Sequence, residues 1–158
     1  MGAFELNIFI DCARDAIYDH LAEPINMIGL QPFLTEIDVL KEKRSAEGVV
    51  LRPFYTVETF LWMGLVTYKR KSYIVIRLTK PKEELEFHVH AKPGIETVFH
   101  YRFQQSNDQR TQITQTVRFV KVNRLLAGFV REHARRTQRA LLSNLKARME
   151  KQVLAPPS

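Results

Sequence analysis

His133 stands out chemically because it lies on an otherwise apolar stripe. At about 100° per residue, Leu126, Val130, His133, Ala134, Thr137, Ala140, Leu141 and Leu145 share one side of a helix predicted from Asn123 to Lys151. A polar ring on that side costs on the order of 1–3 kcal/mol unless it finds a partner. Three readings are open: a hydrogen-bonding group for a ligand carbonyl or hydroxyl, a general base, or a core histidine satisfied by a neighbouring hydroxyl or carbonyl. Thr137 and Asn144 share the stripe. Tyr101 is a second polar group among apolar neighbours, on one face of a strand with Thr97, Phe99 and Phe103. His88 and His90 have the spacing of two metal ligands on one strand face, but no third ligand stands at a recognised spacing, and Glu86 and Lys92 mark that face as outer. His100 is predicted on the same side. Cys12 has no histidine at an informative spacing, and Glu83 and Glu84 fall in a turn. No phosphate loop or zinc pattern occurs, so neither a cofactor nor a metal is expected.

The elements that must position these groups follow from periodicity. Phe4 to Ile10 alternate as a first strand; Ala13, Ile17 and Leu21 then recur at helical spacing. Pro24 restarts the chain, and a second short helix through Met27 and Ile28 ends near Gly29. Strands are predicted over 34–43, 49–62, 66–80, 85–91, 96–104 and 112–119, separated by polar turns. Pro53 assigns the second of these to an edge or a bulge, and the facing of Phe60 and Trp62 is undecided. Asn123 is a suitable N-cap for the long helix. Such a helix cannot bury its own stripe, so a curved antiparallel sheet must lie under it.

The charge of +7 and pI near 9.7 invite a nucleic-acid reading. Much of the excess lies on the outer face of the last helix (Arg124, Arg131, Arg135, Arg136, Arg139, Lys146, Arg148 and Lys151), where a solvated surface is the simplest account. An anionic membrane surface, a partner protein and nucleic acid are the alternatives, the last without a supporting motif. No apolar run approaches a membrane span, Glu5, Asn7 and Asp11 interrupt any signal-peptide layout, and a single cysteine fits a reducing, cytoplasmic setting. Residues 1–152 are expected to form one domain, with 153–158 a disordered tail containing Pro156 and Pro157.

Several strings resemble the START-like (SRPBCC) superfamily of Bet v 1 relatives, polyketide cyclase/aromatases and lipid-transfer domains. The opening FELNIFIDCARDAIYDHLAEP (Phe4 to Pro24) and the following INMIGLQPFLTEIDVL (Ile25 to Leu40) are similar to its start. FHYRF (Phe99 to Phe103) is similar to its aromatic strand, and RTQITQTVRF (Arg110 to Phe119) with LSNLKARMEK (Leu142 to Lys151) to its end. The resemblance implies an α+β helix-grip: a seven-stranded curved antiparallel sheet wrapped around a long C-terminal helix. Two short helices follow strand 1, and an apolar cavity lies between sheet and helix. It also implies binding of a hydrophobic small molecule or lipid, with polyketide cyclase-like chemistry on His133 or Tyr101 as the alternative and an interaction module using the basic helix face as a third. The expected ligand-binding residues are Phe87, Phe99, Tyr101, Leu126, Val130, His133 and Thr137, with Met27 and Ile28 at the mouth, around a space of roughly 300–1,000 Å³. The oligomeric state stays open.

Overall fold

The computed structural model describes residues 2–92 and 94–154, without the side chains at 62, 66, 67 and 154. Strand β1 (Ala3–Ile10) leads into helix α1 (Arg14–Leu21) and a single 3₁₀ turn (Pro24–Met27). Then come β2 (Leu34–Val39), β3 (Lys43–Arg44), β4 (Val50–Trp62), β5 (Leu65–Lys80), β6 (Glu84–Ala91), β7 (Ile95–Asn107), β8 (Arg110–Lys121) and helix α2 (Ala127–Leu154). All pairings are antiparallel, in the order β1-β8-β7-β6-β5-β4-β2, with β3 also on β4. The sheet has eight strands rather than seven because the Lys43–Arg44 pair forms a short strand of its own.

Pro53 lies inside the sheet rather than at its edge. It is opposite Val75 on one side, while on the other β2 stops at Val39, paired with Phe54, and β3 begins at Lys43, paired with Leu51. The missing donor therefore faces the gap between two partner strands, where the Pro53 carbonyl still accepts from the Leu40 amide at 3.0 Å.

Helix α2 is about 42 Å long at 1.5 Å per residue. Its start is displaced from the predicted N-cap: the Asn123 side chain accepts from the Leu125 amide, forming a turn, and the helix proper begins at Ala127. The domain end expected at 152 falls inside α2, which runs through Leu154; positions 155–158 of the expected tail lie outside the described residues.

The two halves of α2 are held differently. Leu141, Leu142, Leu145 and Met149 are buried against Ile10, Ile17, Leu21 and Leu30. Polar ties fasten the same half. Arg148 donates to the Asn26 carbonyl at 2.7 Å and the Ile28 carbonyl at 2.8 Å, Asn144 to the Leu30 carbonyl at 2.9 Å, and Lys146 to the Phe9 carbonyl at 3.0 Å. Gly29 belongs to this clamp: its φ is +84°, and a Cβ there would meet the Arg148 guanidinium at 2.7 Å. From Ala127 to Arg136, by contrast, every residue is half-buried or exposed. The helix is sewn down at its C-terminal half and stands off the sheet at its N-terminal half.

Candidate functional site

The space left by that standoff is a cavity of about 120 Å³ between the N-terminal half of α2 and the concave face of the sheet. It is built on the β4–β5 ribbon, whose register stacks inward-facing residues in rungs. Phe54 faces Ile74, Thr56 faces Ser72, Glu58 faces Arg70 and Phe60 faces Tyr68. The wall thus grades from apolar, through hydroxyl, to ionic, and the Phe60–Tyr68 rung lies beyond the cavity lining. Phe87 and Val89 from β6, Thr97, Phe99 and Tyr101 from β7, and Phe119 from β8 continue the apolar side, and Val130, His133, Ala134, Thr137, Gln138 and Leu141 close it from α2.

Each polar group has a distinct state. Glu58 is buried and fully engaged: one oxygen accepts from Arg70 Nε at 3.1 Å and Nη2 at 2.7 Å, the other from Gln31 Nε2 at 2.7 Å. It is a held counter-ion rather than a free base. Gln31 in turn accepts from the Phe33 amide at 2.9 Å, fixing the segment before β2 against the rim. Ser72 Oγ is buried and has no hydrogen-bond partner among the described residues. An unmet hydroxyl in a cavity wall carries the cost of desolvation and is a ready anchor for a ligand oxygen.

Deeper in, Tyr101 donates to Gln138 Oε1 at 3.3 Å, and Gln115 Nε2 donates to the Tyr101 hydroxyl at 2.8 Å and to Gln138 at 2.7 Å. Burial holds the Tyr101 hydroxyl protonated well above the ordinary phenol range. Tyr101 is therefore a donor committed to a buried network, not a base.

His133 is not satisfied by a hydroxyl or carbonyl. Its ring stacks against Phe33 at 5.7 Å and Phe129 at 6.2 Å and lies 5.9 Å from Phe60, and among the described residues its nitrogens have no hydrogen-bond partner. Burial, and then the Arg70 guanidinium, push its pKa below the ordinary 6.5, so the ring is neutral at pH 7. A neutral imidazole at a cavity rim can accept one proton or donate one hydrogen bond. The Thr137 hydroxyl instead bonds back to the His133 and Ala134 carbonyls at 3.0 and 3.1 Å.

Of the residues singled out from sequence, Met27, Phe87, Phe99, Tyr101, Val130, His133 and Thr137 line the cavity. Ile28 and Leu126 do not. Ile28 follows the 3₁₀ turn and is exposed; Leu126 precedes the first helical residue and is also exposed. Sequence reasoning missed Glu58, Arg70, Ser72, Thr56 and Gln138. His88, His90 and His100 sit on the outer face beside Glu86, Glu96 and Glu84, and Cys12 is buried, with its thiol pushed up by burial.

Neither a protein-family model nor a curated protein matches this sequence. Solved structures do match. The Zhui aromatase/cyclase of a Streptomyces species superposes with a TM-score of 0.76 at 15% identity, covering 98% of this chain and 96% of that one. A START superfamily protein from Mycobacterium smegmatis gives 0.67 at 12% identity, covering 95% and 98%. The di-domain aromatase/cyclase StfQ of the steffimycin biosynthetic pathway gives 0.67 at 16% identity, covering 97% of this chain and 52% of its own. Likeness at such identities speaks to architecture rather than chemistry. No helix among the described residues is long and apolar enough to cross a membrane. An eight-stranded antiparallel sheet closed by one long C-terminal helix, nearly all of which superposes on each of these structures, gives this chain the START-like helix-grip fold.

Proposed function

We propose that the chain binds a compact, mainly apolar molecule carrying one oxygen function, with the apolar part against Phe54, Ile74 and Phe87 and the oxygen at Ser72. The observation that supports this most is the graded wall: a buried hydroxyl without a partner among the described residues, set between an apolar floor and a neutralised ion pair. A cavity of about 120 Å³ is of the size that holds a single aromatic ring, since a void of about 150 Å³ accommodates benzene. It is smaller than the 300–1,000 Å³ anticipated from ordinary ligand sites. A lipid or a multi-ring polyketide would require the loosely held half of α2 to move outward. Binding is driven by apolar burial, about 25 cal/mol per Å², with orientation set by Ser72 and His133. A reducing, cytoplasmic setting and a single domain over residues 1–152 belong to this reading.

Calorimetric titration with phenol and with toluene tests it. Phenol is expected to bind more tightly, and Ser72→Ala to remove most of the difference. Equal affinities that Ser72→Ala leaves unchanged would take Ser72 out of the site.

One observation favours an enzymatic alternative, a polyketide cyclase/aromatase-like activity: His133 is held neutral near Arg70, with neither nitrogen hydrogen-bonded among the described residues. The names of the superposing aromatase/cyclases point the same way. His133 would then take up a proton while Arg70 stabilises developing negative charge. Retained turnover of a poly-β-ketone substrate in His133→Leu would exclude that role.

A further inference from the structure

Large apolar side chains are exposed at the β4–β5 hairpin tip and at the start of α2, next to the cavity-lining His133. At the β4–β5 hairpin tip Leu61, Met63 and Leu65 are 63%, 81% and 71% exposed, and at the start of α2 Leu125 and Phe129 are 93% and 74% exposed. The two sets adjoin through the aromatic cluster at the rim, because His133 stacks on Phe129 and lies 5.9 Å from Phe60, the residue before Leu61. Five large apolar side chains, each more than 60% exposed and grouped around one aromatic cluster, mark a contact site.

The hairpin strengthens the case. Trp62 pairs with Leu65, leaving Met63 and Gly64 as a two-residue turn with φ of +51° and +79°. Asparagine or glycine occupies such a left-handed first position at least cost. A methionine held there, pointing into solvent, trades backbone ease for an apolar tip.

Charge identifies the partner. Lys69 and Lys71 stand exposed on the outer face of β5 below the tip, and Arg124 adjoins Leu125, while the one nearby exposed acid on α2, Glu132, faces Arg136 at 3.8 Å. Lys69 lies four positions beyond Leu65, about 13 Å along the strand. Insertion of the tip by about 5–10 Å, the usual depth of interfacial apolar groups, brings Lys69 within a Debye length of the headgroup phosphates. We infer that the hairpin tip and the first turn of α2 form a docking surface for an anionic lipid bilayer, placing the cavity rim against the membrane. This contact lies at the end of α2, not along its basic outer face. It does not depend on what the cavity holds.

The test is co-sedimentation of the full chain with vesicles of phosphatidylcholine, with and without phosphatidylglycerol, read together with the emission of the single tryptophan, Trp62. The inference expects binding to the mixed vesicles that weakens steeply with salt, and a blue shift of Trp62. Met63→Asp and Phe129→Asp, both at exposed positions, are each expected to lower the partition coefficient at least tenfold with unchanged thermal melting. Arg139→Glu, on the outer face of the helix, is expected to lower it less than twofold. Three results would overturn the inference: no partition onto either vesicle; partition abolished by Arg139→Glu but kept by Met63→Asp; or a dimer in solution that both aspartate variants dissociate, which would assign the patch to a second copy of this chain.

Discussion

Replacing Ala134 with leucine separates an unfilled cavity from a packed core by the sign of the stability change. Ala134 lies on the α2 wall, packed beside Phe4, Val117 and Phe119. At about 24 cal/mol per Å³, 120 Å³ of unfilled space corresponds to about 3 kcal/mol of stability forgone. Leucine adds three carbons at about 0.8 kcal/mol each, so about 2 kcal/mol of that is recoverable once the small loss of helix propensity from alanine to leucine is included. Urea denaturation should show a higher midpoint at constant slope, and thermal melting a rise of about 4–8 °C for a chain of this size. Phenol binding should vanish in the same variant. Ala91→Leu, from the facing strand β6, fills the space independently and is expected to behave alike. In a packed core the same added carbons overpack and cost about 1–3 kcal/mol. Destabilisation by both substitutions, with binding unchanged, would refute the cavity.

Four further outcomes follow from the wall. Ser72→Ala should raise stability by about 1 kcal/mol, because it removes a buried hydroxyl that has no partner among the described residues, while weakening phenol binding up to about tenfold; urea denaturation and calorimetry read both signs. Arg70→Ala leaves the buried Glu58 carboxylate without its cation and should cost about 3 kcal/mol. NMR titration should show the His133 pKa rising in that variant and falling in Glu58→Gln, since the arginine lowers it and the glutamate raises it. His133 and His20 both have folded pKa values lowered from 6.5, His133 by burial and then Arg70, His20 by burial and then Arg148. Their neutral forms favour folding above that pH, and stability should fall as pH drops below 6.5; His133→Leu should flatten that slope. Tyr101→Phe breaks the network with Gln115 and Gln138 and should cost about 1–3 kcal/mol, measured by denaturation.

Much of the fold was legible because most strands obey a simple pattern. β6 and β7 alternate, with Leu85, Phe87, Thr97, Tyr101 and Phe103 inward and Glu86, His88, His90, His100 and Arg102 outward, as the burial confirms. The polar half of the site was hidden for the same reason. A cavity wall that carries polar groups reverses the pattern: Thr56, Glu58, Arg70 and Ser72 are polar yet face inward, so alternation of hydropathy does not mark them as cavity residues and leaves the facing of Phe60 undecided. Only the cross-strand register, which pairs Glu58 with Arg70, reveals them as neighbours. Gln138 was missed because the buried stripe of α2 is broader than the one drawn from spacing, taking in Leu142 and Met149 as well. Leu126 was misplaced because Asn123 caps a turn rather than the helix itself.

NMR titration of ¹⁵N-labelled protein with phenol measures occupancy of the cavity directly. Saturable amide shifts centred on Thr56, Ser72, Tyr101 and His133, absent in Ala134→Leu, are the expected result. Shifts confined to exposed positions such as Met63 and Phe129, or shifts that persist in Ala134→Leu, would show that the space between sheet and helix takes no guest.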